Sequence, residues 1–200
     1  MNTRPSSKSI MPAALMFFAL GINFLGKYIA ESLSLPLWLD TIGTMLAGMV
    51  GGPIVGALTG LINNLGYGIF VNPVSIVYAL SSVALGITVG YMAKFGFTSW
   101  LPTILLLGVV TVIISAVVST PINMFFYDGY TFNAWGDAIY ERALAATGYR
   151  WLSAFINELS VDIPDKFLSA LIAQQIFSCL PRDLVKRFSS VRGDIDVTKM

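Results

Sequence analysis

Apolar residues in this chain come in long runs, and short clusters of glycine, proline and polar residues separate them. A membrane-crossing helix takes about 20 mostly apolar residues. Runs at 9–30, 37–50, 53–70, 73–94, 101–126 and 164–180 meet or approach that length, and GGP at 51–53, VNP at 71–73 and FGFTS at 95–99 mark turns. The second run is short and glycine-rich. Segment 127–161 is polar, and its pattern predicts an amphipathic helix over 138–158 at the membrane surface. VDIPDKF at 161–167 predicts the start of the last span, with Asp162 as cap, Pro164 in the first turn and Asp165 facing the helix dipole. The expected fold is all-α: a bundle of six transmembrane helices over 9–180, a cytoplasmic N-terminus at 1–8, and a polar, frayed cytoplasmic tail at 181–200.

Composition strengthens that picture. The chain is 56% hydrophobic and 12% charged, against about 25% charged in soluble domains, and its mean hydropathy is +0.74. The first run has the basic flank of a signal peptide but is too long for one, so it reads as a retained helix. Arg4, Lys8, Lys94, Arg182, Lys186, Arg187, Arg192 and Lys199 fall on one side of the expected bundle, and Arg142 and Arg150 on the other. The positive-inside rule then puts both termini in the cytoplasm and 127–161 outside, as expected for a multi-pass protein of a bacterial plasma membrane. The chain has no histidine and one cysteine, Cys179, which removes the usual zinc sites, Cys/His dyads and an internal disulfide. No P-loop is present, so ATP hydrolysis by that route is excluded. Neither a metal nor a resident cofactor is expected.

Orientation turns the sequence into a depth map. Asn23, Lys27, Asp40, Thr41, Thr44, Asn63, Asn64, Tyr67, Ser75, Tyr78, Ser119, Thr120, Asn123, Asp162, Asp165 and Lys166 all map to the outer ends of their spans, with Gln174 and Gln175 as exceptions. A charge at a helix centre in lipid costs about 2.5–3.5 kcal/mol even on the mildest scale, so such residues face a wet cavity or one another. They predict a cup open to the outside that takes a small polar molecule. The candidate binding residues are Asp40, Asn63, Asn64, Tyr78, Asn123 and Lys166. The amides and the tyrosine would hydrogen-bond the ligand. Asp40 and Lys166 would pair with its charges or with each other, and Asp40 has Lys27 as a second possible partner. Tyr67, Tyr78 and Trp38 fit an interfacial aromatic belt or a stacking surface. Segment 127–161, with Trp135 and Trp151, is a candidate lid.

The inner halves carry small residues at every fourth position: Gly43-Ala47-Gly51, Thr44-Gly48-Gly52, Gly56-Gly60 and Ser82-Gly86-Gly90. This spacing lets helix backbones approach closely. It predicts packing within the chain's own bundle first, and one face docking another membrane subunit second.

The run LDTIGTMLAGMVGGPIVGALTGLINN at 39–64, with DIPDKFLSALIAQQI at 162–176, resembles the substrate-binding S components of energy-coupling factor (ECF) transporters, the riboflavin-type branch in particular. The resemblance implies capture of a vitamin or related micronutrient from outside. Its implied partners are a membrane coupling subunit and two cytoplasmic ATPase subunits, with toppling in the membrane to deliver the ligand and no covalent chemistry by this chain. Family members carry a small-residue docking motif on the first helix. Ser9 and Ala13 keep that spacing here and Phe17 breaks it. Three other readings stand beside it: a secondary transporter in which Asp40 or Asp165 carries a proton or sodium ion, an enzyme acting on lipid-linked substrates, and a non-transporting scaffold or sensor subunit.

Overall fold

The computed structural model describes residues 7–98 and 100–192, with side chains over 11–98, 100–181 and 183–188. Arg4 and Lys199, used above to orient the chain, lie outside the described residues, as do the side chains of Lys8, Arg182 and Arg192. The described residues are helical, with no strand among them: α1 (Ser7–Ser32), α2 (Ile42–Gly51), α3 (Pro53–Phe70), α4 (Ala79–Lys94), α5 (Leu101–Tyr127), α6 (Ala134–Thr147), α7 (Arg150–Cys179) and α8 (Arg182–Arg192). A 3₁₀ turn at Pro73–Ile76 precedes α4. Two helices, within Met11–Ser32 and Leu101–Tyr127, are long and apolar enough to cross a membrane.

The solvent of the outer surface can be read from what is exposed. Phe17 is 81% exposed, and Ile54, Leu105, Ile113, Val117 and Phe125 also point outward. Asn23, Asn64, Asn123 and Asp162 are buried. This is the reverse of the usual burial order in water, and it fits a molecule with hydrocarbon around it and polar groups satisfied inside.

Helix α2 sits at the centre. All ten of its residues are buried, and it packs against α1, α3, α4, α7 and α8. The small-residue positions are its means of approach. A Cβ on Gly48 would lie 3.2 Å from the Gly86 carbonyl oxygen, and one on Gly56 would lie 2.6 Å from the same atom. One on Gly60 would meet the Ser82 carbonyl oxygen at 2.6 Å, and one on Gly43 would strike the Ala19 backbone. These residues therefore pack the chain's own bundle. Below the polar layer, Met45, Leu46, Met49, Val50, Leu85, Val89 and Leu107 form a closed apolar core.

Several boundaries differ from the sequence reading. Helix α2 begins at Ile42, five residues after the start of the apolar run at Leu37, because Leu39 has a left-handed backbone (φ 50°) that stops a helix from starting there. Asp40 therefore lies in the connection rather than in a span. The single helix expected over 138–158 is two helices, split at Gly148 (φ 71°), the left-handed C-cap of α6. The Asn133 side chain caps the other end of α6. Helix α7 then runs 30 residues, about 45 Å at 1.5 Å per residue, so Asp162 does not cap a helix start and Pro164 lies inside the helix. Interior proline costs a helix a hydrogen bond, and here it adjoins residues pinned by ion pairs (below). The tail is not frayed over 182–192: it forms α8, with Val185 and Phe188 buried.

Overpacking at the glycine contacts gives a direct check. Gly86→Leu, whose Cβ would strike the Gly56 backbone, is expected to cost about 1–3 kcal/mol. Gly66→Ala has nothing within 4 Å and is expected to be neutral or to stabilise by up to about 1 kcal/mol. Thermal unfolding of the two variants in detergent measures the difference.

Candidate functional site

Polar stretches of α1, α3, α4, α5 and α7 converge with the connections 33–41, 71–78 and 128–133 on one cavity of about 190 Å³. Lys27 and Glu31 of α1 line it, with Trp38, Asp40 and Thr41 of the next connection. Asn64 comes from α3, Ser75 from the 3₁₀ turn, Tyr78 from the cap of α4, Ser81 and Ser82 from its first turn, Ser115 and Ser119 from α5, and Thr131 and Phe132 from the connection after it. Glu158, Asp162 and Lys166 come from α7. Their spacing, i, i+4, i+8, puts the three on one helix face. Leu85 closes the floor and belongs to the apolar core beneath.

An ion-pair cluster anchors the wall. Lys166 Nζ donates to Asp165 Oδ2 at 2.6 Å and lies 3.1 Å from Asp162 Oδ1. The other oxygen of Asp165 accepts from the backbone N–H groups of Trp38 (3.1 Å) and Leu39 (2.7 Å). One carboxylate thus ties α7 to the connection before α2 and holds Leu39 in its left-handed conformation. Across the cavity, Lys27 lies 3.7 Å from Asp40 and 3.9 Å from the centre of the Tyr67 ring. The Tyr67 hydroxyl donates to Glu31 at 2.7–2.8 Å.

Neutral groups are held as firmly. The Tyr78 hydroxyl donates to Asn123 Oδ1 at 2.7 Å, and the Asn123 amide donates to Glu158 Oε2 at 2.7 Å. Asn64 donates to Ser82 at 2.6 Å and accepts from Ser75 at 2.9 Å. Ser119 donates to Ser81 at 3.0 Å. Tyr78 also stacks on Tyr127, whose ring meets Phe132 edge-on at 5.1 Å. Such satisfied networks fix side-chain orientation in a low-dielectric interior.

Four of the six candidate residues, Asp40, Asn64, Tyr78 and Lys166, line the cavity. Asn63 and Asn123 stand behind it. The Asn63 amide reaches the Asp40 carbonyl at 3.4 Å, and Asn123 bridges Tyr78 and Glu158. Asn23 is away from the ligand space: it accepts from Gly43 N–H at 2.6 Å and donates to Thr44 at 2.9 Å, clamping α1 to α2. Of the two lid tryptophans, neither lines the cavity: Trp135 donates to the Ser34 carbonyl at 3.1 Å, while Trp151 packs on Phe125 at 5.8 Å on the outer surface. Sequence reasoning missed Glu31, Ser81, Ser115 and Glu158. The signal for Glu158 was its register with Asp162 and Lys166, which the assumption of a helix start at Pro164 concealed.

Residues 2–130 match the family model described as 5TMR of 5TMR-LYT. No curated protein and no solved structure matches the chain. The family match overturns the ECF resemblance, because the model is that of a five-span receptor of LytS-type histidine kinases and not of a transporter S component. The vitamin-import role, and with it the coupling subunit, the two ATPase subunits and the docking face at Ser9 and Ala13, are withdrawn on the same finding. The motif at 39–64 is explained by packing: its glycines seat α2 and α3 against α1 and α4. The match ends at the connection after α5, so the α7 wall of the cavity lies beyond it.

Removing the lysine from the α7 cluster is expected to be costly. Lys166→Met leaves Asp162 and Asp165 buried without their cation, a loss of about 3–5 kcal/mol. Lys27→Met is expected to lose less, because its 3.7 Å pair opens onto the cavity. Unfolding midpoints of the two variants in detergent rank the effects.

Proposed function

We propose, because the chain belongs to the 5TMR family of 5TMR-LYT proteins, that it is a non-transporting membrane receptor that reports a small polar solute to a histidine-kinase output unit. Family membership makes the protein membrane-embedded. In our reading it crosses a bacterial plasma membrane several times within a membrane domain over 9–180, with the ten-residue α2 buried at the centre of the bundle. Lys94, Lys186 and Arg187 lie at the end of the bundle away from the cavity. The positive-inside rule turns that end to the cytoplasm and opens the cavity to the outside. Segments 1–8 and 181–200 then lie on the cytoplasmic side, where an output unit would be reached.

The observation that carries the receptor reading is the blind end of the cavity. A charged, hydrogen-bonded cup stops at Leu85 on an apolar core of Met45, Leu46, Met49 and Val89. Such a cup can hold a solute and change its own packing in response, and the closed floor favours relay over passage. Asp40, Asn64, Tyr78 and Lys166 line the space the solute occupies in this reading, and Asn63 and Asn123 hold Asp40 and Tyr78 in place. The chain performs no covalent step: the ligand's differential affinity for two packings supplies the signal.

The test uses the full chain in vesicles containing no other protein. Solutes retained through purification are identified by mass spectrometry and added back. Saturable binding without net movement into the vesicle lumen is expected; in a second set of vesicles that also hold a LytS-type kinase, the solute is expected to change autophosphorylation. Accumulation of the bound solute in the lumen would overturn the receptor reading.

A further inference from the structure

Charge around the cavity does not balance. Two lysines, Lys27 and Lys166, meet five carboxylates, Glu31, Asp40, Glu158, Asp162 and Asp165. Both lysines are committed: Lys166 sits between Asp162 and Asp165, and Lys27 lies between Asp40 and the Tyr67 ring. An incoming anion could recruit either only by stripping a buried carboxylate of its partner, which is expensive in this environment.

Glu31 already receives the Tyr67 hydroxyl, and the other carboxylates in excess of the lysines stand on α7. Asp162 is 1% exposed, and its Oδ2 has no hydrogen-bond partner among the described residues, although the residue lines the cavity. Glu158 is one helical turn earlier, is also buried, and receives the Asn123 amide on Oε2. Residues spaced i, i+4 have Cβ atoms about 5–6 Å apart, a gap that one nitrogen cation can bridge. Trp38, Tyr78 and Phe132 line the same cavity, and aromatic faces attract organic cations. The volume of about 190 Å³ falls below the roughly 300–1,000 Å³ of pockets for drug-sized ligands, which favours a one-ring or smaller molecule.

We propose that the cavity takes a small organic cation, an amine or amidine, with its nitrogen between Glu158 and Asp162 and its body against Trp38, Tyr78 and Phe132. This rests on the receptor reading above and names the ligand class for the same site. The unpartnered Asp162 oxygen gains an N–H donor, the second carboxylate gains a counter-charge, and the lysine pairs stay intact.

Three probes of one shape and different charge test it: benzamidine (cation), benzamide (neutral) and benzoate (anion), measured by equilibrium dialysis on the full chain in nanodiscs. Benzamidine is expected to bind at least tenfold tighter than benzamide, with benzoate weakest. Glu158→Gln and Asp162→Asn are each expected to weaken benzamidine tenfold or more and to weaken benzamide by a much smaller factor. Should Asp162→Asn fail to fold, judged by its unfolding midpoint, Glu158→Gln carries the comparison. Equal binding of benzamidine and benzamide, preference for benzoate, no saturable benzamidine binding, or unchanged affinity in the folded variants overturns the proposal. A preference for benzoate would leave the receptor reading intact, whereas uptake into vesicles would sink that reading whichever probe binds best.

Discussion

Lys166 lies between Asp162 and Asp165, and much of the outer layer depends on that contact. In hydrocarbon, a buried charge without its partner costs several kcal/mol. The cluster therefore fixes the rotation of α7 about its own axis. Through Asp165 Oδ1 it also fixes the backbone at Trp38 and Leu39, and so the point at which α2 can begin. The cavity wall, the start of the central helix and the position of Asp40 all follow from one lysine held by two neighbours.

The inner layer is governed by a different force. Apolar side chains gain little by leaving lipid for one another, so helices there are held by close packing. Gly48, Gly56, Gly60 and Gly86 bring α2, α3 and α4 to backbone contact, and Met45, Leu46 and Met49 of α2 fill the remainder. The result is a stiff floor beneath a polar cup. The cup's own bonds, such as Tyr78 to Asn123 to Glu158, can rearrange only within the outer layer.

Much of this was legible in the sequence for a physical reason. Apolar runs and glycine spacing report on lipid contact and helix approach, and both are local properties. Asp40, Asn64, Tyr78 and Lys166 were traceable because a polar residue in an apolar run needs a destination. Glu158 was not, because its register depends on α7 continuing through Pro164, and proline ordinarily marks a helix start or break. Helix α6 was misjudged because Gly148 reads as an ordinary glycine until its φ of 71° is seen. The function assigned from the motif at 39–64 failed for a related reason: its glycines record how helices pack, and packing can be shared by proteins with different tasks.

The family match stops after α5, while Glu158, Asp162 and Lys166 all stand on α7. The cavity is therefore charged from two sources: Lys27, Glu31 and Asp40 within the matched stretch, and Glu158, Asp162 and Lys166 on a helix beyond it. A substitution on that one late helix would change the acidic wall of the pocket while leaving the glycine contacts of α2, α3 and α4 untouched.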